Sequence, residues 1–282
     1  MVRTLAWFQN SCALNAKEPM QALLAGALRH GIEARPGAMD ADAAVIWSVL
    51  WAGRMRSNQI IYEHYRRAGK PVIVIDIGAL NRGHTWKVAV NHVTAQGYYG
   101  HQENLDYDRP TQLRVKLQDT IPTSSAVLIC SQHAQSLQMA EWSTQDAWIE
   151  YQIARVRQHT DRPIIVRPHP RSPVFGKWPG VTMQAPQKLP NTYDSFDMDL
   201  TYHAVINHNS GPGIQAAMAG TRPIVDVTSL ALPVSTTLDK LEDAYTVDRQ
   251  QWLVEIAHTE YTVPELASGQ WVTRIEKALH GR

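Results

Sequence analysis

The chain has 282 residues, 44% of them hydrophobic, so it can bury a sizeable core and its length favours two domains. Its 27 Lys and Arg against 26 Asp and Glu give a formal net charge of +1, without the basic excess typical of nucleic-acid-binding proteins. The sequence has neither an apolar run near the roughly 18 residues of a membrane span nor the apolar core of a signal peptide at residues 1–8. The cysteines, Cys12 and Cys130, are too far apart for a metal knuckle. We expect a buried free thiol at Cys130, a reducing compartment and a cytoplasmic protein.

The first half of the chain alternates between strand and helix patterns. Strands are predicted at 4–8, 43–49 and 72–76, and helices at 19–30 and 57–68. This alternation indicates βαβ units and a parallel sheet. Residues 78–107 are instead polar and aromatic, apart from an alternating strand at 86–93. They follow the carboxyl end of a predicted strand, where parallel sheets place their ligands, although an irregular solvated edge is the alternative.

Residues 119–124 are the best candidate for a linker, and the alternation restarts after them. Strands are predicted at 126–130, 163–167, 204–206 and 224–227, and helices at 144–158, 194–200, 248–258 and 270–280. We therefore predict an α/β fold of two Rossmann-like domains that face each other across a cleft. The predicted domains are residues 1–120 and residues 121–282, with the terminal helices in the second.

The strand at 204–206 leads through a short turn into one further helix. Asn209 and Ser210 are N-cap residue types, and Gly220 is a helix stop. The backbone N–H groups of this turn, which includes Gly211 and Gly213, point beyond the sheet. The turn is therefore a candidate phosphate site.

A second candidate site follows the strand at 163–167. This strand ends in Arg167, and two prolines stiffen a loop that presents His169 and Arg171. Guanidinium and imidazole groups at the end of a strand can neutralise a diphosphate without a metal. Alone, the loop is equally compatible with a structural histidine. The prediction of a phosphate site at this loop becomes more specific because the Ser210 turn follows another strand of the same predicted sheet.

Together, residues 167–171 and 209–211 resemble the "HP" and "S" motifs of GT-B glycosyltransferases, in particular capsular-polysaccharide and sialyl- or Kdo-type transferases. The resemblance covers residues 124–228. It implies a nucleotide-sugar donor, which we expect to be a UDP-sugar, and no cofactor. It also implies that His169 and Ser210 contact the phosphates of the donor and that Ser131 and Gln132 form a phosphate-facing loop.

The size of the chain and residues 76–83 are also similar to phage-type transferases that glycosylate hydroxymethylated DNA bases. This likeness implies an acceptor such as 5-hydroxymethylcytosine in DNA and, for a bacteriophage protein, a location in the host cytoplasm. A basic cleft would then use Arg54, Arg56, Arg82, Lys87, Arg114 and Lys116, with Trp51 or Tyr98 stacking on the exposed base. DNA is the main hypothesis for the acceptor. A capsular or envelope glycan is the alternative, and a non-catalytic nucleotide-binding module is the third.

Asp76, at the end of the strongest strand of the first half, is the candidate general base toward an acceptor hydroxyl. His84 and His92 are the alternatives if Asp76 only caps the next turn. The candidate acceptor contacts are Arg82, Trp86, Lys87 and Tyr98.

We expect no metal site. Asp197 and Asp199 form an Asp-x-Asp pair in letters, but they fall in a predicted helix that would point the two carboxylates apart. The turn at Ser210 also lacks the Gly-x-Ser-x-Gly pattern of a serine hydrolase.

Overall fold

The computed structural model describes residues 2–190, 196 and 199–280. The strands in chain order are β1 (Thr4–Trp7), β2 (Glu33–Pro36), β3 (Ala43–Trp47), β4 (Val72–Ile77), β5 (Trp86–Val90), β6 (Val127–Cys130), β7 (Ile164–Arg167), β8 (Val181–Met183), β9 (Ala204–Asn207), β10 (Arg222–Val225) and β11 (Glu260–Tyr261). The helices are α1 (Lys17–Arg29), α2 (Ser57–Arg67), α3 (Arg109–Gln112), α4 (Gln145–Arg157), α5 (Gly211–Ala219), α6 (Gln250–Ala257), α7 (Val263–Ser268), α8 (Gln270–Arg274) and α9 (Glu276–Leu279). The helix predicted at 194–200 lies largely outside the described residues.

The chain folds into two compact units, Met1–Val115 with Val254–Arg282, and Lys116–Leu253. The first boundary lies close to the predicted one, but α7, α8, α9 and the second half of α6 belong to the first unit and not, as predicted, to the second. Burial explains this difference, since Leu266 and Trp271 are fully buried in the core that α1 also covers. A Cβ on Gly26 of α1 would lie 2.1 Å from the carbonyl oxygen of Leu266, so only glycine allows this approach.

In the first unit, the sheet has the order β11-β5-β4-β3-β1-β2. Strands β2, β1, β3 and β4 are parallel, as predicted, and their carboxyl ends therefore lie at one edge. Strand β5, in contrast, is antiparallel to β4. The loop between them is too short for the crossover that a parallel connection requires. The residues that follow β5 consequently lie at the opposite, amino edge.

In the second unit, the strands within the described residues are all parallel, in the order β10-β9-β6-β7-β8. Strands β6 and β9 are buried along their full length, as their apolar runs predict. Strand β10 begins two residues before the predicted strand and contains Pro223, which is tolerated because β10 is an edge strand. The strand order reverses between β6 and β9, and ligands of such sheets bind outside the carboxyl ends at this point.

The α/β, Rossmann-like class predicted from the sequence is confirmed in both units. Cys130 is a buried free thiol, and burial raises its pKa to about 12. Over the ranges that the structure describes, no helix combines the length and the apolar character needed to cross a lipid bilayer.

Candidate functional site

Asn207, fully buried at the end of β9, fixes the turn that leads into α5. Its Nδ2 donates hydrogen bonds to the carbonyl oxygen of Cys130 and to Ser210 Oγ, both at 3.0 Å, and its Oδ1 accepts one from the Ser210 N–H at 2.9 Å. Ser210 is the N-cap of α5, yet its hydroxyl accepts no hydrogen bond from the first turn of the helix. A Cβ on Gly213 would lie 2.8 Å from Val225 Cγ1. The glycine therefore lets the positive end of α5 begin directly beside the strand ends.

The loops that follow β6 and β7 are joined by a buried polar network centred on Gln145. Ser131 Oγ accepts from Gln145 Nε2, and Ser172 Oγ donates to Gln145 Oε1, both at 2.7 Å. The Ala134 N–H in turn donates to Ser172 Oγ at 3.1 Å. These bonds hold the two loops as one rigid piece, because buried polar groups depend strongly on keeping their partners.

Two histidines meet where these loops approach each other. The His133 and His169 ring centroids lie 5.1 Å apart in a T-shaped arrangement. Nδ1 of His133 accepts the N–H of Gln135, and Nδ1 of His169 accepts the N–H of Arg171, both at 3.1 Å. This geometry assigns the ring proton of each neutral imidazole to Nε2.

His133 was not predicted as a site residue. Burial, and to a lesser degree the charge of Arg171, lower the pKa of His133, which favours the neutral form of its ring. Its place directly after Ser131 and Gln132, at the carboxyl end of β6, is the sequence signal that could have identified it.

Arg167 differs from the exposed cation that the sequence suggests. Its Nε and Nη2 donate to Gln184 Oε1 at 3.1 and 2.6 Å, and its Nη1 donates to the carbonyl oxygen of Asp199 at 2.8 Å. The guanidinium also lies over the ring of Tyr202, 5.6 Å from its centroid. The charge of Arg167 is thus directed into the protein, whereas Arg171 is exposed on the loop.

Two buried side-chain amides lie where the strand order reverses between β6 and β9, and each has an oxygen that accepts no hydrogen bond from the described residues. Gln132 Nε2 donates to Gln138 Oε1 at 2.5 Å, and Asn209 Nδ2 donates to Thr228 Oγ1 at 2.7 Å. Gln132 Oε1 and Asn209 Oδ1 have no hydrogen-bond partner in the described part of the chain. A buried acceptor without a partner costs about 1–3 kcal/mol. A ligand that brings hydroxyl or N–H donors would remove this cost.

In the first unit, Asp76 lies at the carboxyl edge of the sheet, where it was predicted. Oδ2 accepts a hydrogen bond from Ser48 Oγ at 2.9 Å, and Oδ1 accepts one from the Ile77 N–H at 2.8 Å. Burial raises the pKa of Asp76 above its ordinary value, although these hydrogen bonds and the charges of Lys87 and Arg82 oppose the rise. A carboxylate whose pKa is raised toward neutrality is suited to general-base chemistry.

Lys87 and Glu260 continue a row of charged residues that starts at Asp76. Asp76 is paired with Lys87 across β4 and β5, and Lys87 with Glu260 across β5 and β11, so the three side chains share one face of the sheet. Glu260 is fully buried and accepts hydrogen bonds from the Ala79 N–H at 2.7 Å and from Thr85 Oγ1 at 2.6 Å. The C-terminal strand therefore clamps the loop that follows Asp76.

The remaining candidates around Asp76 are divided between the two edges of the sheet. The Asn91 N–H donates to the carbonyl oxygen of Val72, the first residue of β4, at 2.6 Å. His92 thus lies at the amino edge, beyond the end of β4 opposite to Asp76. Tyr98, whose N–H donates to the Val90 carbonyl, lies on the same side as His92.

Three other predicted residues lie closer to Asp76 along the chain. The exposed His84 and Arg82 are in the loop directly after β4. Trp86 packs against the apolar core of the first unit, beside Ile77 and Tyr261, on the face opposite to Lys87.

The residues proposed for a DNA cleft are distributed over both units. Arg54, Arg56 and Arg114 are exposed in the first unit, and Lys116 is exposed in the second. Trp51 is half-buried, with its ring 5.7 Å from that of Tyr62. Across residues 2–190, 196 and 199–280, no three His, Cys, Asp or Glu side chains are grouped as metal ligands. The Asp-x-Asp letters include residue 197, outside the described part.

Comparisons with known proteins identify the fold. No protein-family model matches the sequence, and no curated protein sequence matches it significantly. Among solved structures, the chain is similar to the beta Kdo 2,4 transferase of KpsC from Thermosulfurimonas dismutans, with a TM-score of 0.53 and 11% identity, over 92% of this chain and 90% of that one. It is also similar to the beta Kdo 2,7 transferase of KpsC from the same organism, with a TM-score of 0.52 and 11% identity, over 94% of this chain and 98% of that one. At this identity the likeness shows the fold, a Rossmann-like fold of the GT-B type in two units.

Proposed function

We propose that the protein is a glycosyltransferase that moves a sugar from a nucleotide-sugar donor to a hydroxyl group of a capsular or envelope polysaccharide. The observation that carries this proposal is the convergence of three features at one sheet edge of the second unit. The α5 N-terminus, the His133–His169 pair and two unpartnered amide oxygens all follow the carboxyl ends of β6, β7 and β9. The structural likeness to Kdo transferases supports the same chemistry.

The donor is held at this edge by its phosphate and its hydroxyl groups. The N–H groups of Gly211 and Gly213 at the start of α5 and the Ser210 hydroxyl face the phosphate, and His169 and His133 donate from Nε2. These fixed donors stabilise the negative charge that develops on the leaving phosphate. Gln132 Oε1 and Asn209 Oδ1 accept hydrogen bonds from hydroxyl or N–H groups of the donor.

The acceptor hydroxyl is activated in the first unit by Asp76. In an inverting transfer, the carboxylate takes the proton of the acceptor hydroxyl as its oxygen attacks the sugar and the bond from the sugar to the phosphate breaks. Arg82 and Lys87, whose charges reach Asp76, are the proposed acceptor contacts. His84 remains the alternative base.

A polysaccharide acceptor replaces DNA as the favoured one. The solved structures reported above are Kdo transferases, and no finding supports a DNA acceptor or a phage origin. The net charge of +1 agrees with this choice. A UDP-sugar donor, transfer without a metal and a cytoplasmic location belong to the same proposal.

Nucleotide binding tests the donor site. Calorimetric titration with UDP and CMP should show that His169→Ala and Ser210→Ala each weaken binding by about tenfold, the equivalent of one hydrogen bond to a charged group. His159→Ala and Ser125→Ala are matched controls, because both residues are exposed and precede the amino ends of β7 and β6. Unchanged affinity in His169→Ala and Ser210→Ala would remove the phosphate assignment.

A further inference from the structure

Ser48 has a backbone conformation that its residue type rarely adopts. It follows β3 directly and has a φ of +60°, in the left-handed region that glycine and, to a lesser extent, asparagine tolerate. Its N–H donates to the carbonyl oxygen of Ile75 at 2.8 Å, which holds this conformation in place. Ser48 is 8% exposed, so the strain lies inside the protein and not in a surface loop.

The strained backbone directs the Ser48 hydroxyl to the candidate base. Ser48 Oγ donates to Asp76 Oδ2 at 2.9 Å, while the other carboxylate oxygen is held by the Ile77 N–H. Each carboxylate oxygen can accept a second hydrogen bond, so Oδ2 can still accept one from a ligand. Strain of this kind persists where the surrounding structure imposes it, and it concentrates at functional sites.

We propose that Ser48 is a positioning residue that fixes the orientation of the Asp76 carboxylate toward an acceptor hydroxyl, with the strained backbone as the means. This inference rests on the proposed role of Asp76 as the base. The other charged or titratable groups that act on Asp76 are Lys87 from β5, Arg82 from the following loop and Tyr99, whose buried hydroxyl has no partner among the described residues.

Two substitutions separate the hydroxyl from the strain. Ser48→Ala removes the hydrogen bond but keeps a Cβ in the left-handed conformation, whereas Ser48→Gly removes both. The Ser48 hydrogen bond stabilises the ionised carboxylate. Because both variants remove this bond, both should raise the pKa of Asp76. Ser48→Gly should also melt at a higher temperature than Ser48→Ala, since only glycine relieves the strain.

The experiment is a pH titration of the Asp76 carboxyl carbon by NMR in the full chain labelled with 13C-aspartate. The missing resonance in Asp76→Asn assigns the signal. Asn104→Gly is the control, because Asn104 also has a positive φ, of +56°, but is exposed on a loop. We expect a higher titration midpoint in both Ser48 variants and no change in Asn104→Gly. An unchanged midpoint, or a Ser48→Gly protein that melts no higher than Ser48→Ala, overturns the proposal.

Transfer assays distinguish a failure of the positioning role of Ser48 from a failure of the proposed function. If Asp76→Asn abolishes transfer while the Ser48 variants leave the midpoint unchanged, Asp76 is the base and Ser48 does not position it. If Asp76→Asn retains full transfer while the midpoint shifts, Ser48 orients a carboxylate that is not the base, and the positioning role toward an acceptor is overturned with it.

Discussion

Replacing Glu260 by glutamine should destabilise the first unit strongly, although the two side chains have nearly the same shape. The carboxylate accepts hydrogen bonds from the Ala79 N–H at 2.7 Å, from Thr85 Oγ1 at 2.6 Å and, more weakly, from the Leu80 N–H at 3.3 Å. Glutamine keeps one acceptor oxygen and places an NH2 group, which cannot accept, against the remaining donors.

The magnitude follows from the number of bonds lost and from burial. Hydrogen bonds to a charged group contribute about 1.5–3 kcal/mol each, and a buried donor that loses its partner adds a desolvation cost. We expect a loss of about 3 kcal/mol in the free energy of unfolding. For a unit of this size, that corresponds to a fall of about 10 °C in its melting temperature.

Calorimetry measures the melting temperature, and hydrogen–deuterium exchange locates the change. Exchange should increase at β11 and in the loop after Asp76, which Glu260 joins. Glu276→Gln is the matched control in the same terminal segment. Glu276 is exposed and lies 3.6 Å from His280 in a surface pair, whose contribution is about 0–1 kcal/mol. A Glu260→Gln protein as stable as this control would show that Glu260 does not hold the loop after Asp76 against β11.

Three further predictions concern the two sites. Gly213→Ala should weaken nucleotide binding by tenfold or more in calorimetric titrations, because the new Cβ would lie 2.8 Å from Val225 Cγ1 and push α5 away from the strand ends; unchanged affinity would show that the start of α5 does not touch the donor. Asp76→Asn should retain nucleotide binding and lose transfer. Wild-type activity should fall as the pH decreases through a pKa above the ordinary Asp range, since the base must be ionised. A pH–rate profile without this decrease at low pH would show that Asp76 is not the base. Transfer should continue in EDTA at an unchanged rate, and loss that added Mg²⁺ or Mn²⁺ restores would contradict the metal-free mechanism.

The sequence predicts the central strands because burial on both faces leaves a readable pattern. The apolar runs at β4 and β6 are continuous, as expected for parallel strands covered on both sides. Strands β2, β8 and β11 were not predicted. They are short strands at sheet edges, where no such run is required.

The domain assignment of the terminal helices could not be read from local sequence. The amphipathic pattern of a helix indicates that one face is buried, but it does not indicate against which core that face packs. The contact of Gly26 with the Leu266 carbonyl decides this, and it joins residues far apart in the chain.

Asp76, His169 and Ser210 were predictable as residues at strand ends, because the ends of the strands alone decide their place, and their roles in the site stay predictions. Ser48 and Glu260 were not predictable, because their roles depend on hydrogen bonds to distant residues. Trp86 could have been assigned better, since alternation along β5 places it on the face opposite to Lys87.

A transfer assay with labelled nucleotide sugars tests both the proposed glycosyl transfer and its acceptor. Capsule-type oligosaccharides and DNA with hydroxymethylated bases serve as the competing acceptors, and His169→Ala and His159→Ala serve as the variant and its control. We expect label on the oligosaccharide, retained in His159→Ala and lost in His169→Ala. Label on the DNA, or nucleotide binding without transfer to either acceptor, would contradict it.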